Sequence, residues 1–292
     1  WQKYFELEPI DEQKTYDKKS CAIVVNYMLL SDKHKRWANN GYKLIIDHMW
    51  DNDVFTVSDY NQNVLTLNAP NWSWFNESLW YISLGYNRLE IKKNPNKFFL
   101  MLMNLKKYHR TALFNTVTDY LNDSLYSYIG AGISIKDDVG LSDPMWQRRM
   151  NLNWYTDTSF SLVAETKTSV NTFLSEKTFK PIWFGQPFIL VGRPNSLKYL
   201  RSLGFKTFSW LINERYDEIE DNEKRFEFVM NEINRLNALS IEEIKNAIKI
   251  NFSDLEHNRK ILEKIGRERD SYEYKLYKKI KNYKNEKDFN VF

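Results

Sequence analysis

Four short segments of this chain carry residues suited to holding a charged ligand. Asn104, Lys106, Lys107, His109 and Arg110 follow an apolar run at 98–103. Glu165 follows a run at 160–164. Gly192 and Arg193 follow a run at 188–191. Glu176 and Lys177, with Lys180 one turn further on, open a helical pattern behind Ser175. Arg and Lys neutralise phosphate oxygens, and a helix N-terminus adds N–H groups that favour an anion. Carboxylates accept hydrogen bonds from ribose or sugar hydroxyls. In a doubly wound sheet, ligands bind beyond the carboxyl ends of the strands. If these runs are parallel neighbours, all four segments meet at one edge. The set suits a nucleoside diphosphate sugar, whose leaving group gains negative charge as the glycosidic bond breaks. Each residue alone has a plainer role. Lys106 and Lys107 can be solvated, Arg110 can sit in an ion pair, and Glu165 can pair with Lys177. The convergence carries the reading.

The elements that must position these residues read as α/β layers, because short β-rich runs alternate with helical patterns. Strands are expected at 22–25, 43–46, 54–57 and 64–67, followed by a Trp-rich helix at 74–86. The polar, proline-broken stretch 92–97 is the expected linker. Beyond it, strands are expected at 98–103, 125–129, 160–164 and 188–191. Helices are expected at 111–121, at 176–184 with Ser175 as N-cap, and at 196–203, ended by Gly204. Two long helices close the pattern. One carries Phe226, Val229, Met230, Ile233 and Leu236. The other opens on a Ser240/Glu243 capping box and carries Ile241, Ile244, Ile248, Leu255, Leu262 and Ile265. The expected organisation is an acceptor-side α/β domain at 1–95 and a larger donor-binding α/β domain at 96–292, with a cleft between them.

Composition narrows the class. Of the 292 residues, 42% are hydrophobic and 16% aromatic, which is enough for packed cores and unlike a disordered chain. No apolar run approaches the roughly 20 residues of a membrane-spanning helix, and no signal peptide is visible. The start at Trp1 is what removal of a leader or N-terminal segment would leave. The single Cys21 sits in an apolar run and fits a reducing compartment, so the expected location is the cytoplasm. The net charge is +4, yet residues 259–288 alone hold 11 Lys or Arg against 6 Asp or Glu. This tail also carries Tyr272, Tyr274, Tyr277 and Tyr283. It reads as a solvated helix end or as a contact for a polyanion such as nucleic acid.

One stretch resembles a known family. Residues 160–166 read Phe-Ser-Leu-Val-Ala-Glu-Thr, residues 173–181 read Phe-Leu-Ser-Glu-Lys-Thr-Phe-Lys-Pro, and residues 185–192 read Gly-Gln-Pro-Phe-Ile-Leu-Val-Gly. This is similar to the donor-binding core of GT-B glycosyltransferases of the α1,3-fucosyltransferase kind. Those have a glutamate after a strand, then Thr-Glu-Lys opening a helix, then a small-Pro-apolar strand. Glu165, Glu176 and Lys177 match, with Ser175 in place of threonine and one extra residue of spacing. Residues 197–208 also resemble glycosyltransferase-like proteins of phages and large viruses. The resemblance covers roughly 98–237. It implies a GT-B fold of two Rossmann-type domains, a nucleotide-sugar co-substrate, and no metal or other cofactor. It assigns the pyrophosphate to Lys177 and Arg110, and the ribose or sugar to the glutamates. It also implies a viral or phage setting, with a glycan or a modified DNA base as acceptor.

A transferase of this kind that inverts configuration needs a base for the acceptor hydroxyl. Candidates after the N-terminal strands are Asn26, Asp47, His48, Asp59 and Asn68, with Asp47 favoured and His48 next. Two rival readings remain open. Asp51-Asn52-Asp53 has the Asp-x-Asp form that holds a metal in other transferases, but such a tripeptide is common by chance, suits a turn and lies apart from the donor residues. A non-catalytic nucleic-acid or glycan binder would use the tail and the Trp72, Trp74 and Trp80 cluster for stacking. No His/Cys cluster has metal-ligand spacing, and no Walker loop or Gly-x-Gly-x-x-Gly is present.

Overall fold

Parallel pairing of short apolar runs builds two four-stranded sheets, one in each of two compact units. The computed structural model describes residues 21–26, 32–48, 64–68, 72–86, 93–135, 151–166, 168, 174–268, 278 and 290–291. The first unit comprises residues 1–72 with 268–292, and the second residues 73–267.

In the first unit, β1 (Cys21–Asn26), β2 (Lys43–His48) and β3 (Val64–Asn68) lie in the order β3-β2-β1. A short helix α1 (Asp32–Asn39) joins β1 to β2. It was not foreseen, because among its residues only Ala38 is buried and the sequence shows no apolar stripe. The expected strand at 54–57 and the residues Asp51–Asp53 and Asp59 lie outside the described residues.

The second unit contains α2 (Trp72–Ser83, from Ser73 on), β4 (Lys97–Met103), α3 (Tyr108–Thr116), β5 (Leu125–Tyr128), α4 (Leu152–Thr156) and β6 (Thr158–Ala164). Then follow α5 (Glu176–Trp183), β7 (Phe188–Val191), α6 (Ser196–Ser202) and α7 (Asn222–Asn237). The expected second long helix is divided at Asn251 into α8 (Ile241–Ile250) and α9 (Phe252–Arg267), with the Ser240/Glu243 capping box in place. The expected helix 111–121 is likewise shortened to α3, followed by a 3-10 turn at Thr118–Asp123.

All strand pairs of the second sheet are parallel, in the order β5-β4-β6-β7. The chain moves one way from β4 to β5 and the other way from β6 to β7. Right-handed crossovers then place α3 and α5 on opposite faces. The topological switch point lies between the carboxyl ends of β4 and β6. Every residue of β6 is buried, as a strand covered on both faces must be. Its polar side chains are paired. Ser159 Oγ donates to Lys97 O at 3.0 Å, and Thr158 Oγ1 to Trp154 O at 2.6 Å. Gln186 Nε2 donates to Thr158 O at 2.9 Å, and Ser161 Oγ donates to Gln186 Oε1.

The units divide at 72/73, not at the expected linker, and residues 268–292 fall with the first unit. There, β8 (Asn290–Val291) pairs with β1. The reason is local. Asn94 N donates to Thr156 O at 3.2 Å, and Asn96 and Lys97 donate to Asp157 O at 2.9 Å, so the polar stretch is fastened to the second unit. Helix α2 is fastened too. Ser78 Oγ donates to Leu262 O at 2.6 Å, and the Tyr81 and Trp183 rings meet at 5.1 Å. A Cβ on Gly266 would stand 2.3 Å from Ser78 Oγ, so glycine permits this approach of α9 to α2.

Lys93 also ties the stretch down, donating from Nζ to Tyr155 O at 2.6 Å. Burial pushes its pKa down to about 7, from 10.5. Between these values the unfolded chain binds a proton that the folded chain has lost. This contribution therefore makes stability rise with pH from about 7 towards 10.5. Lys93→Met should be more stable than wild type at pH 7, and the difference should shrink towards pH 10. Urea unfolding of both proteins at the two pH values measures it. A difference independent of pH would show that the ammonium is not desolvated.

Candidate functional site

The carboxyl end of β6 delivers Glu165, which is fully buried. Its Oε1 accepts from Ser175 N at 2.8 Å and from Thr178 Oγ1 at 2.7 Å. Its Oε2 accepts from Ser175 Oγ at 2.6 Å. One buried carboxylate therefore holds the start of α5 against the end of β6. Ser175 is the N-cap, as its sequence position implies, and its Oγ accepts from Lys177 N at 3.3 Å and from Lys177 Nζ at 3.1 Å. Lys177 Nζ also pairs with Glu176 Oε1 at 2.7 Å. Burial alone would raise the Glu176 carboxyl. The Lys177 ammonium, by charge and hydrogen bond, and Lys180 together hold it below the usual range.

The N–H groups of this helix start are largely taken. Ser175 N serves Glu165, Lys177 N serves Ser175 Oγ, and Thr178 N donates to Ser175 O at 3.0 Å. The expectation of free N–H groups for a phosphate is corrected accordingly. Side-chain ammonium groups, not the helix end, are what an anion would meet here.

The loop after β4 forms the neighbouring wall. Arg110 is only 2% exposed. Its guanidinium donates to Leu105 O and to Ala164 O, each at 3.2 Å, and so joins this loop to the end of β6. Lys107 Nζ donates to Thr166 O at 2.8 Å, and His109 Nε2 lies 2.9 Å from Glu165 O. Burial lowers the His109 pKa. The bond to the Glu165 carbonyl opposes this, and the Arg110 and Lys107 charges reinforce it. Gly130, just past β5, donates from N to Asn104 O at 2.8 Å.

Two cavities flank this loop. The first, of about 90 Å³, runs along β4 and β6 and is rimmed by Asn104, Glu176, Lys177 and Lys180, with Trp154 and Leu102 as apolar walls. The second, of about 580 Å³, lies at the end of β7 and is lined by Tyr108, His109, Gly192, Phe226 and the carboxylates Glu223 and Glu227. Asn104 thus faces one cavity, and Tyr108 and His109 face the other.

Of the residues singled out in the sequence, Glu176, Lys177 and Lys180 come together on the first cavity. Glu165 lies behind them with its carboxylate occupied, and it pairs with Ser175 and Thr178 rather than with Lys177. Arg110 stands beside them but is buried on backbone carbonyls. Arg193 follows β7 and lines neither cavity; its carbonyl accepts from Ser196 Oγ at 2.7 Å. Asp47 and His48 end β2 in the first unit, where Asn26 pairs in register with Asp47 and His48 with Asn68. Those four residues share the carboxyl edge of that sheet. Sequence reasoning missed Thr178, Gln186 and Gly130. The first two act through contacts from distant positions that leave no local pattern. The isolated Gly130 after a strand was the one available signal.

Among the described residues, no group of His, Cys, Asp or Glu could hold a metal ion, and no helix is long and apolar enough to cross a membrane. Compared with known protein families, curated proteins and solved structures, the chain has no match.

A Cβ on Gly130 would stand 2.6 Å from Asn104 O and 2.9 Å from Lys106 N. Both obstacles are backbone atoms of the loop between the cavities, so the loop must move. Gly130→Ala should cost about 1–3 kcal/mol, as overpacking does. Gly192→Ala should cost less, because its nearest contact would be 3.4 Å from the Ser196 hydroxyl. Thermal unfolding of the two variants compares them, and equal costs would dissociate Gly130 from the loop.

Proposed function

We propose that the chain is a glycosyltransferase of the two-domain GT-B type, which moves a sugar from a nucleoside diphosphate sugar to an acceptor hydroxyl. The observation that carries this reading is the grouping of Lys177, Lys180 and Glu176 on a cavity at the switch point of a parallel sheet. Ligands of doubly wound sheets bind at that place, and two ammonium groups there suit a diphosphate. As the glycosidic bond breaks, negative charge grows on the leaving phosphate, and fixed cations stabilise it. Glu176 accepts a hydrogen bond from a ribose or sugar hydroxyl. The larger cavity beyond the loop has the volume that a nucleoside needs.

In this reading the first unit serves the acceptor. A base takes the proton of the attacking hydroxyl, and Asp47, with His48 next, is the candidate at the carboxyl edge of that sheet. The acceptor is a glycan or a modified base in DNA. Diphosphate neutralisation rests on side chains, so transfer proceeds without a divalent metal.

A hydrolysis screen over nucleotide sugars, run with and without EDTA, tests the proposal. One donor should be turned over, and chelation should leave the rate unchanged. Lys177→Ala should lower turnover by about 10²-fold, as for other groups that stabilise developing charge. Near-normal turnover by that variant would remove Lys177 from the site. Thermal stabilisation by oligonucleotides alone, with none from any nucleoside diphosphate, would replace this reading with nucleic-acid binding.

A further inference from the structure

The Glu165 carboxylate is buried and lines neither of these two cavities. Its contacts nevertheless lead to Lys177. The Ser175 hydroxyl has one proton and two lone pairs. Glu165 Oε2, at 2.6 Å, takes the proton, because a carboxylate only accepts. The lone pairs are thereby turned towards Lys177, which donates to Ser175 Oγ from N at 3.3 Å and from Nζ at 3.1 Å. Glu165 Oε1 fixes the same turn through Ser175 N and Thr178 Oγ1, so the hydroxyl has no freedom to reverse.

We infer that Glu165 is a positioning residue, which aims the Lys177 ammonium at the first cavity through the Ser175 hydroxyl. The inference rests on the diphosphate reading of that cavity and gives Glu165 a role other than contact with the sugar or ribose. The direction of a single proton is the device. With glutamine at 165, the group facing Ser175 Oγ can be an amide N–H₂, which donates. The hydroxyl must then accept from it and point its own proton elsewhere, which opposes the Lys177 ammonium. Shape and burial are preserved, while the polarity of the relay is reversed.

The experiment is a double-mutant cycle on the full chain, read by calorimetric binding of inorganic pyrophosphate and of UDP, GDP, ADP and CDP. Glu165→Gln should weaken diphosphate binding by about tenfold, the equivalent of one charge-assisted hydrogen bond. Lys177→Ala should weaken it at least as much. The double variant should match Lys177→Ala alone, because Glu165 has nothing left to position. A merely structural role would instead make the two losses multiply. If Lys177→Ala binds every probe as wild type does, the diphosphate reading falls and the relay falls with it. If Lys177→Ala is weakened but Glu165→Gln is not, or if the losses multiply, the relay alone is overturned. Should Glu165→Gln melt too low to assay, Ser175 carries the test. Ser175→Ala should lose affinity, and Ser175→Thr, which keeps a hydroxyl, should restore it. Equal affinities for those two variants would overturn the relay.

Discussion

A buried carboxylate at the end of a central strand is the constraint on which the second unit depends. A charge removed from water is tolerated only when hydrogen bonds or opposite charge replace its hydration. Glu165 has three donors, all from the N-cap and first turn of α5, while the Arg110 guanidinium is held by the Leu105 and Ala164 carbonyls. To supply those donors, α5 must begin where it does. Arg110 separately fastens the loop after β4 to the end of β6 through those carbonyls. The placement of α5 against the end of β6 thus follows from satisfying a single side chain.

The same logic runs along the rest of β6. A strand buried on both faces cannot leave serine or threonine hydroxyls unpaired. Thr158, Ser159 and Ser161 are met by Trp154 O, Lys97 O and Gln186. Gln186 in turn holds the turn between α5 and β7 to the start of β6. The polar groups inside this sheet fix which strand lies beside which, and the apolar residues around them supply the burial. The carboxyl edge inherits its precision from that framework, because its residues sit at the ends of rigid strands and at a capped helix start.

Charge at this edge is balanced, not simply basic. Lys177 and Lys180 hold Glu176 ionised, Glu165 lies behind them, and Arg110 is spent on backbone carbonyls. In the proposed reading, this balance matches a ligand that combines a diphosphate with hydroxyl groups. The positive excess at 259–288 is a separate feature of the sequence, and within α9 Arg259 donates to Tyr86 O and Arg267 pairs with Glu263.

The sequence by itself determined the alternation of strands and helices in the second unit and which residues stand at the strand ends. These are local properties. A strand-sized apolar run, a Ser175 before Glu176 and Lys177, and a Ser240/Glu243 capping box act within a few residues of themselves. The chemistry-bearing types after β4, β6 and β7 were legible for the same reason. Tertiary structure alone decided what those residues do. Arg110 and Glu165 read as ligand contacts while their partners were unknown. The Ala164 carbonyl lies 54 positions from Arg110, and Ser175 lies 10 from Glu165. The division at 72/73 was hidden likewise, because α2 is held by Leu262, 184 positions away from Ser78. A side chain's role depends on whether its polar atoms face solvent or a partner, and distant parts of the chain set that outcome.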